Sequence, residues 1–159
     1  MQKVLKEMIH YFESDVRRIN HALKVYTFAE IISDSEKLSP QKRKVLLTAA
    51  VVHDVGIKKA EEKYDSSAAK YQEQEGPAQA KEILSKFNFN DELIDRVSFL
   101  VGNHHSYAAI DGIDFQILVE ADFLVNIYED NMDREQIIKI RDNIFKTAAG
   151  TELLEELYL

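Results

Sequence analysis

A histidine and an aspartate stand side by side in VVHDVGIKK, residues 51–59, directly after an apolar run. His21 lies in a segment of helical spacing, His104 and His105 end another, and Asp122 sits inside the apolar stretch LVEADFLV. All of these are polar groups in apolar company. A buried carboxylate is costly unless it is paired or binds a cation, and the basic residues lie mostly elsewhere in the sequence, not beside Asp54 or Asp122. A divalent ion removes the difficulty. Imidazole nitrogen and carboxylate oxygen suit Mn, Fe, Co, Ni or Zn, and the C-terminal end of a helix closing near residue 54 adds about half a negative charge that favours a cation there. Plainer readings stay open. His53-Asp54 could cap a helix, Asp122 could sit in a buried ion pair with an Arg, and His104 and His105 could complement a helix C-terminus or touch a substrate. His10 reads as a solvated surface residue.

Helices must position these groups. Helical periods run along almost the whole chain without strand alternation, so the fold class is all-α, a compact multi-helix bundle. A first helix covers about residues 2–13. A second runs from Asp15 to about Ser33, with Val16, Ile19, Leu23, Tyr26, Ala29 and Ile32 in phase. Ser39 as cap and Pro40 at the first helical position start a third, which reaches about Asp54. Its second half is apolar on every side, which marks the central helix, and Gly56 can supply a left-handed residue to end it.

Residues 57–76, IKKAEEKYDSSAAKYQEQEG, are polar and irregular; a loop with a short helix is expected, a candidate lid. Helices resume at GPAQAKEILSKF, with Pro77 near the first position, and at DELIDRVSFLVGNHH, with Asp91 as cap. There Leu93, Val97, Leu100 and His104 fall on one stripe, which points His104 inward. Asp122 shares a stripe with Phe115, Leu118 and Val125. Two further helices follow, and the apolar ending TELLEELYL either packs in the bundle or serves a homodimer. No repeat or linker divides the chain, so a single domain over residues 1–159 is expected.

Composition limits the possible partners. With 159 residues, 45% hydrophobic and 30% charged, and only five Gly and two Pro, the chain is an ordinary globular sequence. A formal charge of −8 opposes general binding to nucleic acid or an anionic membrane, so any phosphate must be attracted locally. The absence of Cys excludes disulfides and thiol chemistry and agrees with a reducing cytosol. The opening MQKVLKEMIHYFESD lacks the marks of a signal peptide. The longest apolar run, VLLTAAVV, falls far short of the roughly 20 residues that span a bilayer. A cytoplasmic location is expected.

The order His21, then His53-Asp54 after a buried helix, then Asp122 in an ADxL context resembles the HD superfamily of metal-dependent phosphohydrolases, over about residues 15–130. The resemblance implies that His21, His53, Asp54 and Asp122 ligate a first divalent metal. It further implies His104 and His105 as ligands of a second, with Asp54 bridging, and leaves Mg as a possible ion besides the transition metals. The implied reaction is hydrolysis of a phosphate ester or anhydride through metal-activated water, the substrate being a small nucleotide or phosphomonoester. Lys58, Lys59 and Lys70, with Arg17 and Arg18 one turn before His21, are candidates for attracting the phosphate. Asp54, Glu73, Glu75 and Lys58 are the candidate catalytic residues, the two glutamates as groups that orient water or bind metal.

Departures from the family pattern narrow the subclass. Many dinuclear members have a histidine where this chain has Glu75. HDVGIKK lacks the Glu of deoxynucleotidase-like members and the Glu-Asp dipeptide of guanosine tetraphosphate hydrolases. HHSYAAIDG lacks the Gly-Tyr-Pro element of cyclic dinucleotide phosphodiesterases, whereas a diadenosine polyphosphate hydrolase plan stays compatible. Two other classes compete: a catalytically silent metal- or nucleotide-binding regulatory module, and a helical interaction module with a coincidental ligand pattern.

Overall fold

A computed structural model describes residues 1–159 and contains nine α-helices and one short 3-10 turn, with no strand. They are α1 (Gln2–Phe12), α2 (Val16–Ser35), α3 (Pro40–Val52), α4 (Gly56–Tyr64), α5 (Ala69–Ser85), α6 (Asp91–Val101), α7 (Ile113–Glu129), α8 (Arg134–Ile144) and α9 (Ala148–Tyr158). The all-α expectation therefore holds. No helix is long and apolar enough to cross a membrane.

The bundle is organised around α3 and α7. From Val45 to Val52 every residue of α3 is buried, as are twelve of the seventeen residues of α7. A helix apolar on all sides must be enclosed; α2 packs against both, and α6 covers α3 from another side. The 33 buried apolar residues form one contiguous cluster. α3 starts as expected, with Ser39 as cap and Pro40 in the first turn, and α2 starts at Asp15, whose carboxylate accepts from Arg18 N at 3.1 Å.

Four expectations need correction. Gly56 does not end α3 in a left-handed conformation; no glycine has positive φ, and Gly56 instead opens α4. Its lack of a side chain serves close packing. A Cβ there would lie 2.3 Å from the Gln72 carbonyl oxygen and 2.8 Å from Gly76 N, so α4 and α5 cross backbone to backbone. The segment expected as an irregular lid is almost entirely α4 and the first half of α5, joined by a short connection at Asp65–Ala68. Its polar composition reflects two exposed helix faces.

Pro77 lies inside α5, not at its start. It cannot donate to the Glu73 carbonyl, and Gly102 packs at that point: a Cβ on it would sit 2.7 Å from Pro77 Cγ and 3.5 Å from Glu73 O. The cap of α6 is Asn90, whose side chain accepts from Leu93 N at 3.0 Å, while Asp91 occupies the first turn. The C-terminal segment forms α9 against α7 and α8, with Leu154 fully buried and Tyr158 Oη donating to Leu124 O at 2.6 Å.

Candidate metal centre

Four helix-end or mid-helix positions bring the sequence-flagged groups together. His53 is the residue that closes α3, and Asp54 follows in the turn before α4. His21 projects from the second turn of α2 and Asp122 from the middle of α7, the two helices that flank α3. α6 ends at Val101, so His104 and His105 sit in the turn beyond it. The inward stripe still holds, since Leu93, Val97, Leu100 and His104 are all buried.

The distances describe one compact cluster. His21 Nε2 lies 3.2 Å from His53 Nε2 and 3.1 Å from Asp122 Oδ1, and His53 Nε2 is 3.7 Å from the same oxygen. Asp54 Oδ2 is 3.6 Å from His21 Nε2 and 3.5 Å from His53 Nε2. Its other oxygen, Oδ1, is 3.5 Å from His104 Nε2. Asp54 thus stands between two groups, His21 with His53 and His104 with His105, each close enough to share one ion.

Tautomers are set from outside the cluster. His53 Nδ1 is 3.0 Å from Ala50 O and His104 Nδ1 is 2.8 Å from Val101 O, carbonyls left free where α3 and α6 end. A carbonyl only accepts, so the ring proton resides on Nδ1 and the Nε2 lone pair faces the cluster. His21 lies inside α2, where no free carbonyl exists. There Glu129, at the end of α7, takes the role, its Oε2 3.1 Å from His21 Nδ1, and Lys24 holds the same carboxylate.

This donor set fits a divalent transition metal. Ligand atoms about 2.1 Å from an ion and separated by tetrahedral or octahedral angles lie roughly 3.0–3.4 Å apart, and the cluster spans 3.1–3.7 Å. His104 Nε2 is buried with no hydrogen-bond partner, an acceptor orphaned unless a cation meets it. Electrostatics agree. Burial alone would raise the Asp54 and Asp122 pKa values, but the adjacent imidazoles hold both carboxyls well below the usual range. Burial would lower the pKa of His21, yet the hydrogen bond to Asp122 and the charges of Asp54, Asp122 and Glu129 raise it to about 9. Burial, with His104 alongside, pushes His105 down to about 4 and keeps it neutral.

The remaining sequence candidates divide. Arg17 and Arg18 line a cavity of about 360 Å³ that opens over His21, Asp54, His105 and Asp122. Lys58, Lys59 and Lys70 do not line it. Lys58 contacts Tyr11 O and Glu13, both at 3.3 Å, Lys59 pairs with Glu62 at 2.7 Å, and Lys70 lies 4.5 Å over the Tyr71 ring. Glu75 is buried but committed elsewhere, accepting from Lys63 Nζ at 2.5 Å and Tyr64 Oη at 2.9 Å. Glu73 instead braces the histidine turn, accepting from His105 N and Ser106 Oγ, both at 3.1 Å. His10 is exposed, as expected.

Sequence reasoning missed Glu129 and the lining residues Asn126 and Asp130. A signal for two of them existed: Asp122, Asn126 and Glu129 fall at i, i+4 and i+7, one face of α7.

Comparison with known proteins agrees with the geometry. The chain is similar to a structure described as a predicted HD superfamily hydrolase from an uncultured Thermotogales bacterium, with a TM-score of 0.69 and 22% identity. The match covers 98% of this chain and 83% of the other, and it establishes likeness of fold. No curated protein matches. The family model described as HD domain matches residues 18–147, a span that contains every histidine and carboxylate of the cluster, and this chain belongs to the HD-domain family.

Proposed function

We propose that this protein is a metal-dependent hydrolase of a phosphate ester or anhydride in a small phosphorylated compound, a nucleotide or a simple phosphomonoester. One observation carries the reading: imidazole lone pairs and two carboxylates converge within 3.1–3.7 Å at the floor of a cavity that also holds two arginines. In this reading His21, His53, Asp54 and Asp122 hold a first ion. The free oxygen of Asp54, with His104 and His105, holds a second. The candidates are Mn, Fe, Co, Ni or Zn, with Mg admissible. A divalent ion so placed polarises the phosphoryl group and brings the pKa of a water molecule toward neutrality.

The chain's own groups do the rest. Arg17 and Arg18 attract the phosphate locally in a protein whose net charge of −8 repels it at long range. Glu129 holds the His21 proton on Nδ1, so that Nε2 stays available. Glu73, by tethering His105 N and Ser106 Oγ, fixes the turn that presents His104 and His105.

Metal analysis after chelator-free purification, followed by assay on a phosphate-ester panel with each ion, tests the proposal. Stoichiometric metal and turnover lost in His53→Ala and Asp54→Ala are expected. Undiminished hydrolysis by metal-stripped Asp54→Ala protein would overturn it.

A further inference from the structure

The cavity above the metal cluster is lined by thirteen residues, of which only Ile57 is hydrophobic. None is Phe, Tyr or Trp, and the Tyr64–Tyr71 stack, with ring centroids 4.3 Å apart, lies outside it. A nucleobase bound with affinity is held by stacking on aromatic faces and by apolar contact. This lining supplies neither.

What it supplies are polar groups with nothing else to do. The side chains of Arg17, Ser67, Asn126 and Asp130 line the cavity and make no hydrogen bond or ion pair within the protein. By contrast Arg18 is already held by Asp15 at 2.9 Å and Glu61 at 2.5 Å, and Gln72 donates to Ser67 O at 2.6 Å. The four free groups form a mixed set: one guanidinium, one hydroxyl, one amide and one carboxylate. A guanidinium recognises phosphate oxygens. A carboxylate does the reverse, since it repels phosphate and accepts hydrogen bonds from hydroxyls, while the amide and the hydroxyl both donate and accept. Asn126 stands on α7 one turn beyond the Asp122 ligand, and Asp130 caps the C-terminal end of that helix two turns beyond it.

From this lining we infer that the substrate is a monophosphate ester of a sugar or polyol. Its phosphate lies at the metal cluster beside Arg17, and its hydroxyls are read by Asn126, Asp130 and Ser67. A nucleobase, where present, projects beyond the mouth and is not read. Asp130 also disfavours a polyphosphate, whose added charges would approach an unneutralised carboxylate. The inference rests on the hydrolase reading above, because it places the phosphate at the cluster.

Phosphonate analogues, whose C–P bond resists hydrolysis, separate recognition from turnover. Dissociation constants are measured by calorimetry on Mn-loaded protein for orthophosphate and for the methylenephosphonate analogues of ribose 5-phosphate and AMP. The base-free analogue is expected to bind within about threefold of the AMP analogue. In Asn126→Ala and Asp130→Ala the ratio of base-free analogue affinity to orthophosphate affinity is expected to fall about tenfold. That ratio is internal to each variant, so partial loss of fold does not imitate the effect. An AMP analogue binding more than tenfold tighter than the base-free one, or an unchanged ratio in both variants, overturns the inference and leaves the hydrolase reading standing. If neither orthophosphate nor any analogue binds the loaded protein, the hydrolase reading itself falls.

Discussion

The imidazoles of His21, His53 and His104 each have the Nδ1 proton held by an acceptor, but the acceptors differ in kind. His53 and His104 lean on backbone carbonyls that any residue at 50 or 101 would provide. His21 depends on a single side chain, Glu129, and Glu129 in turn is fixed by Lys24 one turn along α2. Burial alone would raise the Glu129 pKa, yet the Lys24 hydrogen bond and His21 beside it hold it low, so the carboxylate stays charged. A charged acceptor makes the opposite nitrogen a stronger donor to metal, and loss of such a partner lowers metal affinity by about 10- to 100-fold. Glu129→Ala is expected to weaken metal binding by that factor, as read by titration against a competing chelator, while Glu129→Gln, which still accepts, loses less. Equal affinity in wild type and Glu129→Ala would remove Glu129 from the site.

At the scale of elements, the site is a by-product of how α4 meets α5. Asp54 sits two residues before Gly56, and a Cβ on Gly56 would meet the backbone of Gln72 and Gly76, which have no rotamer to yield. Gly56→Ala therefore forces the helices apart and drags the turn that carries Asp54. The expected cost is about 3 kcal/mol, the upper end for overpacking, or a fall in Tm of roughly 6–12 °C for a chain of this size. Calorimetry and metal titration on the same variant check it, and both properties should fall together. That crossing was not legible in the sequence. A glycine after a helical run reads as a stop signal, because one chain of letters shows φ preferences but not what backbone passes alongside. The polar stretch 57–76 misled for a related reason: it is short of aliphatic residues, since α4 buries only Gly56, Ile57 and Ala60 and meets α5 through small residues. The candidate metal ligands were legible because burying imidazole and carboxylate in apolar runs is anomalous at any single position. Their supports were legible only in part: Glu73 stood out as a residue near the site but not as the brace of the histidine turn, and Glu129 shares the Asp122 face of α7 yet looks like ordinary surface until tertiary structure supplies its partner. Glu120 shows the limit most plainly. It reads as a break in an apolar run, and the fold buries it completely against the backbone of Lys146 and Thr147 at 2.7 and 3.0 Å, tying α7 to the start of α9.

Across the whole molecule, the cluster couples proton binding to stability and, in the metal-dependent reading, to metal binding as well. Without a bound ion, His21 carries a pKa raised from 6.5 to about 9, while Asp54 and Asp122 are lowered from 3.8. A base with a raised folded-state pKa contributes stability fully below its unfolded value and loses it as pH climbs through the folded one. A depressed carboxylate contributes above its unfolded value and loses it as pH falls. His105, pushed down to about 4, works against the fold below its unfolded value, because the unfolded chain takes up a proton that the folded one refuses. The ion-free protein should therefore be most stable near pH 6.5 and weaken toward pH 9. Metal reverses the upper limb. An ion needs the lone pair of His21 Nε2, so binding displaces that proton, and affinity rises about tenfold per pH unit for each proton released. Between pH 6 and 8, both below the His21 pKa of about 9, one released proton raises affinity about 100-fold. With the ion in excess over its Kd at both values, that adds about 2.7 kcal/mol to the metal-linked stability, or roughly 5–11 °C in Tm. Thermal melts with excess Mn and with EDTA at the two pH values read the difference directly. A metal-induced Tm increment that is the same at pH 6 and pH 8 would mean that the ion does not compete with the His21 proton, and so does not bind between α2 and α7.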